Sequence, residues 1–288
     1  TESDERFGFT RGEVAALADY LGHPHRYGEV REWYDGYRFG DVDVYNPWSV
    51  LNYFGNGCAP DVYWGNTSSN SVLGGLVADA GDKMLKRLYA LAEPGGTVRA
   101  PLDTRVVFSD LAVAPQAVWS MLYLAGYLTT DDTVLPGDVD RLRPLRIPNR
   151  EVAKLYASEI TGRFAQVAGG RDALDDLHRA LVSGDVVAFA EELESVLLNC
   201  ASFHDLVSEN SYHMLMMGLL FNVPGYSAPV SNREAGRGRF DVQLAPADPA
   251  RNPLITLELK HAEQPIDLEL AARQALAQID ERAYDAAA

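Results

Sequence analysis

Two short runs near the C-terminal end constrain this chain more than any other feature. They are RFDVQL and LITLELK, within residues 239–260, joined by the turn-rich segment APADPARNP. Side chains alternate faces along an extended strand. Phe240, Val242 and Leu244 therefore point one way, and Asp241 and Gln243 the other. In the second run Ile255, Leu257 and Leu259 share a face, and Thr256, Glu258 and Lys260 share the opposite one. Neighbouring strands with their apolar faces on a core would gather Asp241, Glu258 and Lys260 on one polar face. Glu258 and Lys260 would stand two rises apart, about 6.5 Å along the strand. Charges buried without partners cost several kcal/mol, so this face is either a solvated row of ion pairs or a site with a ligand.

The residue types suit one chemistry. Two carboxylates from separate strands can hold a hard cation such as Mg²⁺, which takes oxygen ligands and keeps waters. Such a cation polarises a phosphate oxygen and acidifies a bound water, and a lysine beside it offsets charge developing on phosphorus. Metal-assisted phosphodiester hydrolysis follows from Asp241, Glu258 and Lys260 in this pattern, and a solvated salt bridge on an exposed strand is the plainer alternative. The surroundings add to the first reading. Arg233, Arg237 and Arg239 precede Asp241 in a glycine-rich stretch; they can receive phosphates bidentately or simply solubilise the loop. Gln274 and Gln278 stand one turn apart on the following Ala-rich helix, so one face can look back at the site. Glu209 opens the apolar helix SENSYHMLMMGLLFN, as a third carboxylate for a metal or as a charge complementing the helix dipole. Tyr212 and His213 read as packing residues.

Upstream, TRGEVAALADYL (10–21) has a helical rhythm with Thr10 as N-cap and Glu13 three residues on. The stretch WYDGYRFGDVDVYNPWSVLNYFG combines turn dipeptides with a density of aromatics that suits a local core, or a surface on which bases stack. A short helix is expected from Pro47. Residues 70–92 and 149–200 read as mostly helical, and 105–126 as helical with a break at Pro115. YLTT (127–130) and RLRPLRI (141–147) read as a hairpin, which after a helix pair outlines a winged-helix unit. A strand is expected near 226–232.

The 288 residues are 47% hydrophobic, enough for more than one core. The formal net charge of −16 argues against a generally basic nucleic-acid binder, while leaving room for a local basic groove. The sequence has no run of 18 apolar residues, and its polar, acidic start lacks the order of a signal peptide. It begins with Thr rather than Met, as a fragment would. Cys58 and Cys200 are far apart and without CxxC partners, which fits a reducing, cytoplasmic compartment. There is no GxxxxGK[ST], HExxH, EF-hand loop or GxSxG. His23 and His25 have no evident third ligand.

Taken in order, ENSYHMLMMGLL, SNREAGRGRFDVQL, LITLELK and ALAQIDERAY resemble the PD-(D/E)XK nuclease domain that ends a large group of prokaryotic AAA-ATPase-like proteins. REWYDGYRFGDVDVYNPWSVLNYF and YWGNTSSN resemble the same group's ATPase region, and LYLAGYLT and RIPNREV its winged-helix-like continuation. The resemblance implies a mixed α/β chain: a helical and winged-helix-like N-terminal region, then a PD-(D/E)XK core in αβββαβ order. The expected segments are 1–100, the end of the ATPase-like region; 101–150, winged-helix-like; 151–200, a helical linker; and 201–288, the nuclease-like domain. The resemblance implies Asp241 and Glu258 as metal-binding acids, with Glu209 as the first-helix glutamate, Lys260 as the catalytic lysine and Gln278 as the motif glutamine. It implies Mg²⁺ or Mn²⁺ as cofactor and nucleic acid, DNA in the first place, as substrate, with no membrane. Two departures are expected. The group's phosphate loop would precede residue 1, so the chain should not hydrolyse ATP. The family's last strand would follow the Ala-rich helix, so a further segment or a protein partner would complete the sheet. The alternative function is a non-catalytic module that binds nucleic acid or protein through a vestigial site. A third reading is a scaffold in which 201–288 only packs.

Overall fold

A computed structural model describes residues 6–39, 42–66, 71–78, 80–93, 95–107, 117–135, 137–199, 209–231, 234–235, 238–260 and 267–282. In chain order the elements are β1 (Phe9–Thr10), α1 (Arg11–Tyr20), α2 (Tyr27–Tyr34), β2 (Tyr37–Phe39), β3 (Val42–Tyr45), α3 (Pro47–Gly55), α4 (Ser71–Ala78), α5 (Asp82–Ala92), β4 (Val98–Pro101), α6 (Ala117–Leu124) and β5 (Leu142–Leu145). They continue as α7 (Arg150–Val167), α8 (Arg171–Ser183), α9 (Val186–Asn199), α10 (Glu209–Leu219), β6 (Val230–Ser231), β7 (Glu234–Ala235), β8 (Gly238–Arg239), β9 (Val242–Leu244), β10 (Ile255–Leu257) and α11 (Leu268–Arg282). The chain forms two compact units, one of Thr1–Asp79 with Ala90–Tyr156, the other of Ala80–Tyr89 with Ala157–Ala288.

In the first unit, the N-cap signals are used as the sequence suggests. Thr10 and Glu13 form a reciprocal capping box on α1, and the Asn46 side chain accepts from the Trp48 amide at 3.0 Å with Pro47 opening α3. The aromatic stretch makes a local core: Trp33, Tyr34, Tyr45, Val50 and Tyr53 are buried together with Val14 and Val30. β1, β3 and β2 form an antiparallel sheet beside it. Glu151 is buried and serves as an internal acceptor. It takes the Tyr63 and Trp64 amides at 2.8 and 2.7 Å on Oε1, and the Ser49 hydroxyl at 2.8 Å on Oε2.

The hairpin expected between 127–130 and 141–147 is reduced to a single bridge, Thr129 with Arg146. β5 instead pairs antiparallel with β4, Val98 opposite Leu145 and Pro101 opposite Leu142. The expected winged-helix boundary at 100/101 thus falls inside β4. The break near Pro115 lies outside the described residues, and α6 starts at Ala117.

In the second unit, α10 is the most buried element. Met214, Leu215, Met216, Met217 and Leu219 are all nearly inaccessible, as are Leu220 and Phe221 just beyond it. Its backbone is held from two sides. The Tyr89 hydroxyl donates to the Met214 carbonyl at 3.0 Å, and His178 Nε2 donates to the Leu219 carbonyl at 2.7 Å. The Leu219 carbonyl is one of the four at a helix C-terminus that have no intrahelical partner. Gly218 is required by packing: a Cβ there would lie 2.1 Å from Cε2 and Cζ of Phe164. Beside α10 stands a three-stranded antiparallel sheet in the order β10-β9-β6, with β9 central. The elements α10, β6, β9, β10 and α11 reproduce the helix, three strands and helix of the expected core, with the small β7–β8 hairpin inserted.

Candidate active site

The β9–β10 register puts Leu244 opposite Ile255, Gln243 opposite Thr256, and Val242 opposite Leu257. The apolar face is as the alternation requires, with Phe240, Val242 and Leu244 buried. On the other face the Gln243 amide donates to the Thr256 hydroxyl at 3.1 Å. One step further in the same register, Asp241 would stand opposite Glu258. The ladder stops before that step, so the charged residues lie just outside the strands rather than inside them. The reason is local: the Leu259 amide donates to Oδ2 of Asp241 at 2.7 Å instead of continuing the ladder. The frayed end of the strand pair therefore places the Asp241 carboxylate against the backbone between Glu258 and Lys260.

Glu258 and Lys260 form an ion pair, Nζ to Oε1 at 2.9 Å, with the glutamate side chain 2% exposed and the lysine 33%. Gln278 completes the group. Its Oε1 accepts from Lys260 Nζ at 2.8 Å, and its Nε2 donates to Glu258 Oε1. The fold brings Gln278 there through its neighbours: Ile279 packs with Val230 against Phe240, and Ala275 is buried one turn earlier. Ala275, Gln278 and Ile279 thus share the inner face of α11, while Gln274 is exposed. The second glutamate oxygen, Glu258 Oε2, is buried and has no hydrogen-bond partner among the described residues. A buried acceptor left unsatisfied costs about 1–3 kcal/mol, more when charged, so this atom calls for a water or a cation.

Asp241, Glu258, Lys260 and Gln278 are therefore brought into one place. Glu209 is the first residue of α10, with its side chain outside the described residues; Arg239 lies in β8 with the same restriction. Arg233 and Arg237 lie outside the described residues altogether. Among the described residues no cluster of three or more His, Cys, Asp or Glu is gathered for a metal. Sequence reasoning set His213 aside as packing. It is buried, and its Nε2 also donates to the Asp241 carbonyl at 3.1 Å. Its place one turn into the helix that Glu209 opens was the available signal.

The first unit contains a cleft of about 610 Å³, lined by Arg11, Arg31, Arg38 and Arg146 with Asp43 and Asp131 among its acids. Its charges largely satisfy each other: Arg11 pairs with Asp43 at 2.9 Å and Arg146 with Asp131 at 2.9 Å. It is an ion-pair web that ties loops to the β1–β3–β2 sheet, and the candidate chemistry lies elsewhere.

The second unit thus carries a three-stranded sheet beside α10, with two acids and a lysine gathered at the frayed end of its β9–β10 pair. Residues 207–288 match the model of a family described as the PD-(D/E)XK nuclease superfamily. The match spans α10 through α11 and supports a domain of that superfamily there; members of that superfamily generally use divalent metal ions. No curated protein and no solved structure matches the chain. No described helix is long and apolar enough to cross a membrane.

Proposed function

We propose that residues 207–288 act as a divalent-cation-dependent nuclease domain hydrolysing phosphodiester bonds in DNA, attached to the C-terminal part of an AAA-ATPase-like region. The observation that carries this reading is the buried Oε2 of Glu258, without a hydrogen-bond partner among the described residues, in a cluster that also contains Asp241, Lys260 and Gln278. Mg²⁺ or Mn²⁺ fits this donor set. Mg²⁺ is commonly bound through one or two carboxylates while keeping several waters, so Asp241 and Glu258 suffice, with Glu209 as the third acid of the proposal. When bound, the cation supplies Lewis acidity toward a phosphate oxygen and a water acidified near neutral pH.

The chain's own residues do the rest. Leu259 holds the Asp241 carboxylate by its amide, and Gln278 holds the Glu258 carboxylate and the Lys260 ammonium together. Lys260 is one-third exposed, so its ammonium can meet an arriving phosphate and offset charge developing on its oxygens. Arg233, Arg237 and Arg239 are the proposed phosphate contacts that set the strand's register. The net charge of −16 favours a second reading, a binding module without catalysis. A cleavage assay on plasmid and linear DNA separates the two. The nuclease reading expects Mg²⁺- or Mn²⁺-dependent cleavage that Asp241→Ala and Lys260→Ala each reduce by at least about 100-fold. Equal cleavage by the wild type and Lys260→Ala would sink it. The binding reading expects salt-sensitive DNA retention with no metal requirement.

A further inference from the structure

We infer that His213 is a positioning residue that fixes Asp241 for metal binding; this rests on the nuclease reading of the site. Asp241 is gripped at both ends. His213 Nε2 donates to its carbonyl at 3.1 Å, and the Leu259 amide donates to its carboxylate at 2.7 Å. A carbonyl only accepts, so the His213 proton sits on Nε2 in this contact. Asp241 itself lies in a bend just before β9, where no ladder bond among the described residues fixes its peptide. Its neighbours Phe240 and Val242 are buried, which sets where the chain runs. The hydrogen bond from His213 sets how the intervening peptide is turned, and hence where the carboxylate points.

The donor is rigid enough for this. His213 is buried on α10, whose backbone is held by Tyr89 at Met214 and by His178 at Leu219, with Phe164 against Gly218. A continuous path of contacts thus runs from the helical core through His213 to Asp241, then to the backbone between Glu258 and Lys260. Groups that orient a metal ligand in this way, without touching the metal, change affinity by about 10- to 100-fold when lost.

The test uses the full chain with two readouts. The first is Mn²⁺ binding by calorimetry. The second is amide hydrogen exchange at Leu259, which reports the grip on the Asp241 carboxylate without any metal. His213→Phe keeps the bulk and loses the donor. It is expected to weaken Mn²⁺ binding about 10- to 100-fold and to speed Leu259 exchange by on the order of tenfold. His213→Gln, which can donate to the same carbonyl, is expected to recover much of both. Leu215→Ala, a buried neighbour on the same helix, serves as the destabilised control and should leave both readouts near wild type. If His213→Phe leaves them unchanged, or Leu215→Ala moves them equally, the positioning role is overturned. A wild type that takes up no Mn²⁺ sinks the nuclease reading instead, and Leu259 exchange alone then decides whether His213 holds Asp241.

Discussion

At the scale of single residues, the question is how a nearly inaccessible carboxylate is stabilised. Glu258 has one oxygen held by Lys260 and Gln278 and the other without a partner among the described residues. Breaking a fully buried ion pair by removing one member costs about 3–5 kcal/mol. Lys260 is one-third exposed, so its loss should cost less, about 2 kcal/mol. Lys260→Ala is therefore expected to lower the urea midpoint, and millimolar Mg²⁺ to restore it, because a cation bound only by the folded chain adds stability by mass action. If Lys260→Ala is as stable as the wild type, with and without Mg²⁺, the pair is only a solvated row. Glu151 poses the complementary case. Burial raises its carboxyl above the ordinary 4.5, against the opposing pull of the Trp64 amide, the Ser49 hydroxyl and the Tyr63 amide. A carboxyl raised on folding contributes stability that is fully present below about pH 4.5 and is lost as pH rises through the raised value. In Glu151→Gln the amide oxygen can accept both backbone N–H groups and the amide nitrogen can donate to Ser49. Denaturation midpoints measured from pH 4.5 to 7 should thus fall less in the variant than in the wild type.

At the scale of elements, the pieces legible in the sequence were those fixed by local pattern. Period-two alternation gave the faces of β9 and β10, and the Thr10–Glu13 pair gave the start of α1. The β4–β5 pairing was not legible. Its strands are more than forty residues apart; 141–147 reads as a strand, but of a local hairpin with 127–130, and 98–101 does not read as a strand at all. Each carries a proline, Pro101 and Pro144. A two-stranded sheet has only edges, so both are tolerated. The His213–Asp241 contact was hidden for another reason: it depends on how α10 is rotated against the sheet, which spacing alone does not fix. That rotation is set in part by Gly218. Gly218→Ala would push a methyl into Phe164, and overpacking of this kind costs about 1–3 kcal/mol. The expected result is a lower thermal midpoint together with faster Leu259 amide exchange, since α10 must shift to admit the methyl. Phe164→Leu in the same chain should recover part of the lost stability; no recovery would mean that the glycine serves another purpose.

At the scale of the whole molecule, the segment that matches a nuclease family and the segment that folds are different objects. The match covers 207–288, while the compact unit that contains it also takes in Ala80–Tyr89 and everything from Ala157. The core around α10 is built from those outside pieces. Tyr89 stacks on Phe221 at 5.1 Å and bonds the Met214 carbonyl, Phe164 covers Gly218, and His178 caps the helix at Leu219. Within 207–288 the apolar face of the sheet has Val230 and Ile279 packed around Phe240, a small cluster for a segment of about 80 residues, a size at which folding is already marginal. Excised alone, 207–288 is therefore expected to lack a cooperative thermal transition and to give a collapsed amide spectrum, whereas the full chain melts cooperatively. Extending the fragment back to residue 157 restores Phe164 and His178 but not Tyr89, and should fold weakly if at all. A fragment of 207–288 that melts as sharply as the full chain would show that the sheet and α11 alone support α10, and that the helical residues serve some other end.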